Sequence, residues 1–169
     1  IEEAEARLYL LDKERREQCY AQYWQPTPDQ QQFWDQRIYE RKVWLVSGGE
    51  RSGKTELGAF LATVWLLGKE YFRDTPAWKW VEPLPVPLPP TSVRGVGLTA
   101  DTSRNSVWEK LMGSIEHPPM FPPAEVKKPS EHEMTVEFKC RSKYHTKSAD
   151  ANPKTHGAVS VDLAWIDEE

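Results

Sequence analysis

Residues 44–60 read WLVSGGERSGKTELGAF, and the fold turns on how this stretch is taken. Within it, Gly48, Gly49, Glu50, Arg51, Ser52, Gly53, Lys54 and Thr55 fit the pattern G-x-x-x-x-G-K-[ST] without a mismatch. Glycines allow backbone angles closed to other residues, so successive amide N–H groups can turn toward one point and cradle phosphate oxygens. The N-terminus of a following helix adds partial positive charge at the same spot. In such a cradle Lys54 is the point charge on the outer phosphates of ATP, and the Thr55 hydroxyl is a ligand for Mg²⁺. Both flanks suit this reading. Val43, Trp44, Leu45 and Val46 form a continuous apolar run, the pattern of a strand buried on both faces. Behind the loop, Leu57, Phe60, Leu61, Val64 and Trp65 fall on one helical face between Lys54 and Leu67, and Gly68 is a natural stop. The plain alternative is a glycine-rich turn that carries Lys-Thr by chance, and the flanks weigh against it.

Working outward, residues 2–24 are rich in good helix formers and predict a helix with Leu8, Leu11 and Arg15 on a mixed face. Pro26 and Pro28 end it, and a second helix is predicted over 28–42, with Pro28 and Asp29 in its first turn. Residues 75–92 hold six of the 14 prolines, which excludes a helix interior or central strand and predicts an extended surface segment. Residues 93–100 read as a strand. Residues 101–115 read as a helix with Val107, Trp108, Leu111, Met112 and Ile115 inward. Residues 116–130 read as irregular, 133–140 as an alternating strand, 141–157 as a polar loop, and 158–169 as an apolar strand ending in acids. This order predicts an α/β domain with a mainly parallel sheet flanked by helices. The whole of 1–169 reads as one domain: a helical lead over 1–40 and a phosphate-loop core over 41–169, with the proline-rich insertion at 75–92.

Composition bounds the function classes. The formal charge of −4 and pI near 5.7 give no global basic signature for nucleic acid, although a local basic patch is compatible with them. Cys19 and Cys140 form no disulfide framework, which favours a reducing compartment. No apolar run reaches the ~18–20 residues of a membrane span, and no signal-peptide pattern is present. A start at Ile1 without Met and a stop at WIDEE lead to the expectation of a fragment of a longer protein, with its domain incomplete at the C-terminus.

A phosphate loop needs a carboxylate to hold Mg²⁺. The apolar residues 163–166 run into Asp167 and Glu168. Asp167 is the candidate metal ligand, and Glu168 the candidate base that orients and deprotonates the attacking water. An exposed acidic strand cap is the alternative. Glu169 reads as a solvated neighbour. Arg51 has two readings, a stabiliser of developing phosphate charge or a salt-bridge partner of Glu50 or Glu56. Gln30 can donate to and accept from an adenine edge, or can be a helix-surface glutamine. Residues 127–128 and 141–147 are small basic clusters, able to touch nucleic-acid phosphates or to sit on solvated loops. His117, His132, His145 and His156 with Cys140 lack the short ligand spacing of zinc sites.

Three features resemble the large subunit of tailed-phage terminase, the DNA-packaging motor. PTPDQQQFW looks like that family's adenine-contact segment P-x-P-x-Q-x-x-F, with Gln30 as the glutamine and Phe33 as the aromatic. SGGERSGKT is similar to the family's phosphate loop with an internal arginine, here Arg51. FKCRS…HGAVSVDLAWIDEE resembles the family's second strand-and-acid block, with Ser142, Gly157, Val161-Asp162 and Asp167-Glu168-Glu169 in the matching places. The resemblance runs from roughly residue 23 to 169 and is thin from 70 to 135. It implies a P-loop NTPase of the catalytic-glutamate class, with Glu168 and Arg51 catalytic and Mg²⁺ on Thr55 and Asp167. It also implies an ATPase that drives packaging of viral duplex DNA into a procapsid. Portal protein and the small terminase subunit are implied partners, with a ring-forming homo-oligomer on the portal, no membrane, and the host cytoplasm as location. The family continues with a coupling motif and a nuclease, and neither is found in these residues. A helicase-like P-loop ATPase and a non-catalytic prophage or split-gene remnant are the competing readings.

Overall fold

The computed structural model describes residues 2–44, 53–114, 117–151 and 160–167. The first helix, α1 (Glu2–Gln18), breaks at Cys19 before the short α2 (Tyr20–Tyr23). Leu8, Tyr9, Leu10 and Leu11 on α1 are exposed. Next, α3 (Pro28–Asp35) opens with a capping box: Thr27 Oγ1 accepts from Gln30 N at 3.3 Å, and Gln30 Oε1 accepts from Thr27 N at 2.8 Å. Pro28 and Asp29 sit in its first turn as predicted, but the helix is shorter than the sequence suggested. Arg37 adopts a left-handed φ of 52°, and only a 3-10 turn over Ile38–Glu40 follows. The strand expected from Val43 has no counterpart in the described part of that run. Val43 is 85% exposed, and Trp44 packs edge-on against Phe33 and Trp65. Leu45 onward to Ser52 lies outside the described residues.

Helix α4 (Lys54–Leu67) matches its predicted ends, with Gly53 before it and Gly68 after it, both at positive φ. The predicted single apolar face understates its burial. Leu57 and all of the residues from Ala59 to Leu67 are buried, so α4 is enclosed on every side. One side faces the sheet. The other carries an aromatic layer from the N-terminal lead, where Trp24 stacks on Phe60 at 4.0 Å and Trp34 packs at 5.7 Å from Trp24. The proline-rich segment contributes to this layer rather than lying wholly on the surface. Its first part forms α5 (Trp78–Val81), whose Trp80 and Val81 are buried, and the Trp80 carbonyl accepts from Trp34 Nε1 at 2.7 Å.

The sheet holds β1 (Ser92–Gly97), β2 (Val126–Ser130), β3 (Thr135–Phe138), β4 (Lys143–Ser148) and β5 (Leu163–Asp167), in the order β2-β3-β4-β1-β5. β1 pairs in parallel with β4 and with β5, whereas β2–β3 and β3–β4 are antiparallel. The fold is therefore α/β, but the sheet is mixed instead of mainly parallel. Two strands lie in segments read as irregular or loop. β2 carries Pro129 and sits at an edge, where a missing N–H is tolerated. β4 looks polar because its outward positions are Lys143, His145 and Lys147, while Tyr144 and Thr146 are buried inward.

Between β1 and β2 the chain turns back as α6 (Ala100–Thr102), a π-helical turn (Ser103–Trp108) and α7 (Glu109–Met112). Val107, Trp108 and Leu111 are buried as predicted; Ile115 lies outside the described residues. Val93, Val136, Phe138, Tyr144 and Trp165 are buried on the core side of the sheet. The opposite face carries Arg94, His145, Lys147 and Ile166, half-buried to exposed. Among the described residues no helix is long and apolar enough to cross a membrane.

Candidate phosphate-binding edge

The direction of α4 follows from two hydrogen bonds at its far end. Thr91, one residue before β1, donates its hydroxyl to the Trp65 carbonyl at 2.7 Å, and Cys140, just before β4, donates its thiol to the Leu66 carbonyl at 3.2 Å. The starts of β1 and β4 therefore lie at the C-terminus of α4. β1, β4 and β5 run together, so their ends at Gly97, Ser148 and Asp167 lie toward the α4 N-terminus. A second observation agrees. Gly58 of α4 lies so close to the Trp165 indole that a Cβ there would overlap the ring. From this contact Lys54 is one helical turn, about 6 Å, toward the helix start. Asp167 is two strand residues, about 6.6 Å, toward the strand end. Parallel strand ends beside a helix N-terminus are where open α/β sheets bind ligands.

An open cleft of about 1210 Å³ lies at this edge, running from Gly53, Lys54 and Thr55 to Arg104, Lys110 and His117. Its far wall is the π-helical turn and α7. Ser103 fixes that wall to the sheet: its buried Oγ accepts from Gly97 N at 3.2 Å and donates to the Lys147 carbonyl at 3.0 Å. The approach requires glycine at 97, where a Cβ would come within 2.5 Å of Ser103 N. The π-helical turn at this wall is invisible in the hydrophobic spacing, and such turns recur at functional sites.

The described candidates divide as follows. Lys54 and Thr55 stand in the first turn of α4 and line the cleft. Asp167 is 6% exposed at the end of β5, in register with Gly97, and does not line the cleft. Gln30 is 5% exposed, so the surface-glutamine alternative is excluded; its Nε2 donates to the Gly53 carbonyl at 2.7 Å. Gly48, Gly49, Glu50, Arg51, Ser52, Gly157, Glu168 and Glu169 lie outside the described residues. Ser142 and Asp162 are at the opposite edge. Ser142 Oγ accepts from Thr91 N at 3.0 Å, and Asp162 Oδ2 accepts from Ser92 N at 2.7 Å, so both pin strand starts.

Glu56 is a residue the sequence reading left in a minor role. Its Oε1 accepts from Tyr20 Oη at 2.9 Å and from Trp24 Nε1 at 3.1 Å, and Lys110 Nζ lies 3.9 Å from Oε2. One carboxylate thus ties α2 and α7 to the first turn of α4, where negative charge is favoured by the helix dipole. Burial, followed by the Glu56 charge, pushes the Tyr20 hydroxyl up to about 12. The donors are 36 and 32 residues away in sequence, so no local signal marks this role.

From Lys143 onward the basic cluster at 141–147 is strand and not loop. Lys143, His145 and Lys147 project from β4 beside Arg94 of β1. Burial, and then the charges of Arg94, Lys147 and Lys143, hold the His145 imidazole below its usual range. Lys127 pairs with Glu137 across the β2–β3 hairpin at 2.8 Å. Among the described residues no three His, Cys, Asp or Glu side chains come together as a metal site. The two sequence candidates for Mg²⁺, the Thr55 hydroxyl and the Asp167 carboxylate, are hard oxygen donors of the kind that ion takes. Comparison with family models, with curated proteins and with solved structures returns no match to this chain.

Proposed function

We propose that the chain is a P-loop ATPase of the terminase type, the motor part of a DNA-packaging machine. The observation that carries this reading is the cleft at the strand edge, opened by Lys54 and Thr55 at the N-terminus of a buried helix. That helix terminus points backbone N–H groups and partial positive charge toward the cleft, as phosphate oxygens require. In this role Lys54 neutralises the outer phosphates, and Arg51 supports the charge that develops on them. Thr55 and Asp167 would hold Mg²⁺, which when bound neutralises charge on the β and γ oxygens. Glu168 follows Asp167 directly and would take a proton from the attacking water. Coupling of hydrolysis to duplex DNA, the portal and the small subunit rests on the sequence resemblance, as does a ring of like subunits.

The test is nucleotide binding. Lys54→Ala keeps the cradle amides but deletes the charge facing the outer phosphates. Titration of a fluorescent ATP analogue is expected to give an affinity lower by about tenfold or more, the scale of one charge-assisted contact. Equal affinities for the two proteins would remove the phosphate-loop reading.

A further inference from the structure

We propose that Gln30 is a positioning residue of the phosphate loop, acting on the peptide between Gly53 and Lys54 rather than on the nucleotide base; the proposal rests on the phosphate-loop reading above. The Gln30 side chain is 5% exposed, and both of its amide heavy atoms are engaged within the chain. Oε1 accepts from Thr27 N at 2.8 Å, while Nε2 donates to the Gly53 carbonyl at 2.7 Å. The capping box holds the other end of this link, since Thr27 Oγ1 takes the Gln30 amide N–H. The amide thus bridges the start of α3 to the start of α4, across 23 residues of sequence.

The consequence for the loop follows from peptide geometry. In a planar trans peptide the N–H points opposite to the C=O. Holding the Gly53 carbonyl toward Gln30 therefore aims the Lys54 N–H away from Gln30. That N–H belongs to the first turn of α4, where backbone donors face the helix start, and is of the kind that binds phosphate oxygens. The Gly53 carbonyl also accepts from Leu57 N at 2.9 Å, so Gln30 and the first helical hydrogen bond fix one oxygen together. Contact completes the lock. Gly53 has φ +77°, and a Cβ on it would lie against the Gln30 amide nitrogen, so the amide packs directly on the glycine backbone. Each amide atom makes one of its two possible hydrogen bonds to the backbone of this chain, and the side chain is buried, so its orientation is set from within the protein.

The experiment compares wild type, Gln30→Met and Lys54→Ala for binding of ATP, GTP and inorganic triphosphate with Mg²⁺, by displacement of a fluorescent ATP analogue. Met keeps the volume and neutrality of Gln and removes only the amide. Positioning predicts that Gln30→Met weakens all three ligands by one common factor of about tenfold, leaving their ranking unchanged. Amide hydrogen exchange without ligand supplies a second readout. The Leu57 amide, bonded to the Gly53 carbonyl, is expected to exchange faster in the variant, while 64–67 keep wild-type protection; this local effect separates positioning from general loss of stability. Loss of ATP affinity with triphosphate affinity kept would make Gln30 a base reader and overturn the proposal. Unchanged binding of all three ligands would overturn it too. Triphosphate binding that is insensitive to Lys54→Ala would instead bring down the phosphate-loop reading itself.

Discussion

At Glu56 one carboxylate meets groups from α2 and α7, and the first turn of α4 is tied to both through it. Trp24 is fully buried, so its indole N–H has no recourse to water if Glu56 is removed. Tyr20 would lose the acceptor of its hydroxyl at the same time. The Lys110 contact at 3.9 Å is half-buried and adds little by comparison. A buried donor left without a partner costs about 1–3 kcal/mol. Glu56→Ala is therefore expected to lower unfolding free energy by that amount in urea, while Glu56→Gln, which keeps an acceptor oxygen, should lose less. Indistinguishable midpoints for Glu56→Ala and wild type would show that the two donors find other partners. The start of α4 at Lys54 was legible because its signals, Gly53 and the apolar pattern behind it, are local. Glu56 and the Gln30–Gly53 link were not, because their partners lie 23 to 36 residues away and only the packed fold brings them together.

Among elements, the contact between α4 and β5 decides where Asp167 ends up. Its tightest point is Gly58 beneath the Trp165 indole. Two effects oppose each other at this position. Helix propensity favours alanine over glycine by about 1 kcal/mol. A methyl group there would overlap a ring that is buried between helix and strand, and overpacking of this kind costs about 1–3 kcal/mol. The clash should win, so Gly58→Ala is expected to destabilise the wild-type protein. In a Trp165→Leu background the clash is gone, and the same substitution should stabilise by about 1 kcal/mol. A double-mutant cycle by urea denaturation reads this reversal of sign; the same sign in both backgrounds would mean that the indole is not the obstacle. The ends of α4 could be read from the sequence because glycines bracket a continuous apolar pattern. β4 could not, because Lys143, His145 and Lys147 occupy the open face of a one-sided strand and imitate a loop. The π-helical turn was missed for another reason: its buried Val107 and Trp108 satisfy ordinary helical spacing equally well.

For the whole molecule, buried groups that must stay neutral set the pH range of stability. Burial pushes the Cys19 thiol up to about 11 from an ordinary 9.0, and the Tyr20 hydroxyl up to about 12 from 10.0. Burial raises Tyr71 and Tyr144 as well. Each of these groups ionises in the unfolded chain before it does so in the native one. Between the two pKa values the native state holds the extra proton, so stability falls as pH rises. The loss starts near pH 9 with Cys19 and continues through 12 as the tyrosines join. For Cys19, 4% exposed, two units correspond to about 1–3 kcal/mol by the end of its range. His145 acts at the other end. Its folded pKa lies below 6.5, so its contribution is present above that value and is lost as pH falls. Arg94, Lys143 and Lys147 beside it deepen that loss, and Glu133 offsets part of it. Urea unfolding from pH 7 to 10.5 under reducing conditions is expected to show a plateau followed by a decline from about pH 9. Cys19→Ala should delay the onset to the range of the tyrosines. A flat profile to pH 10.5 would mean that these groups ionise as readily in the fold as in the unfolded chain, and the buried aromatic layer would then have to admit water.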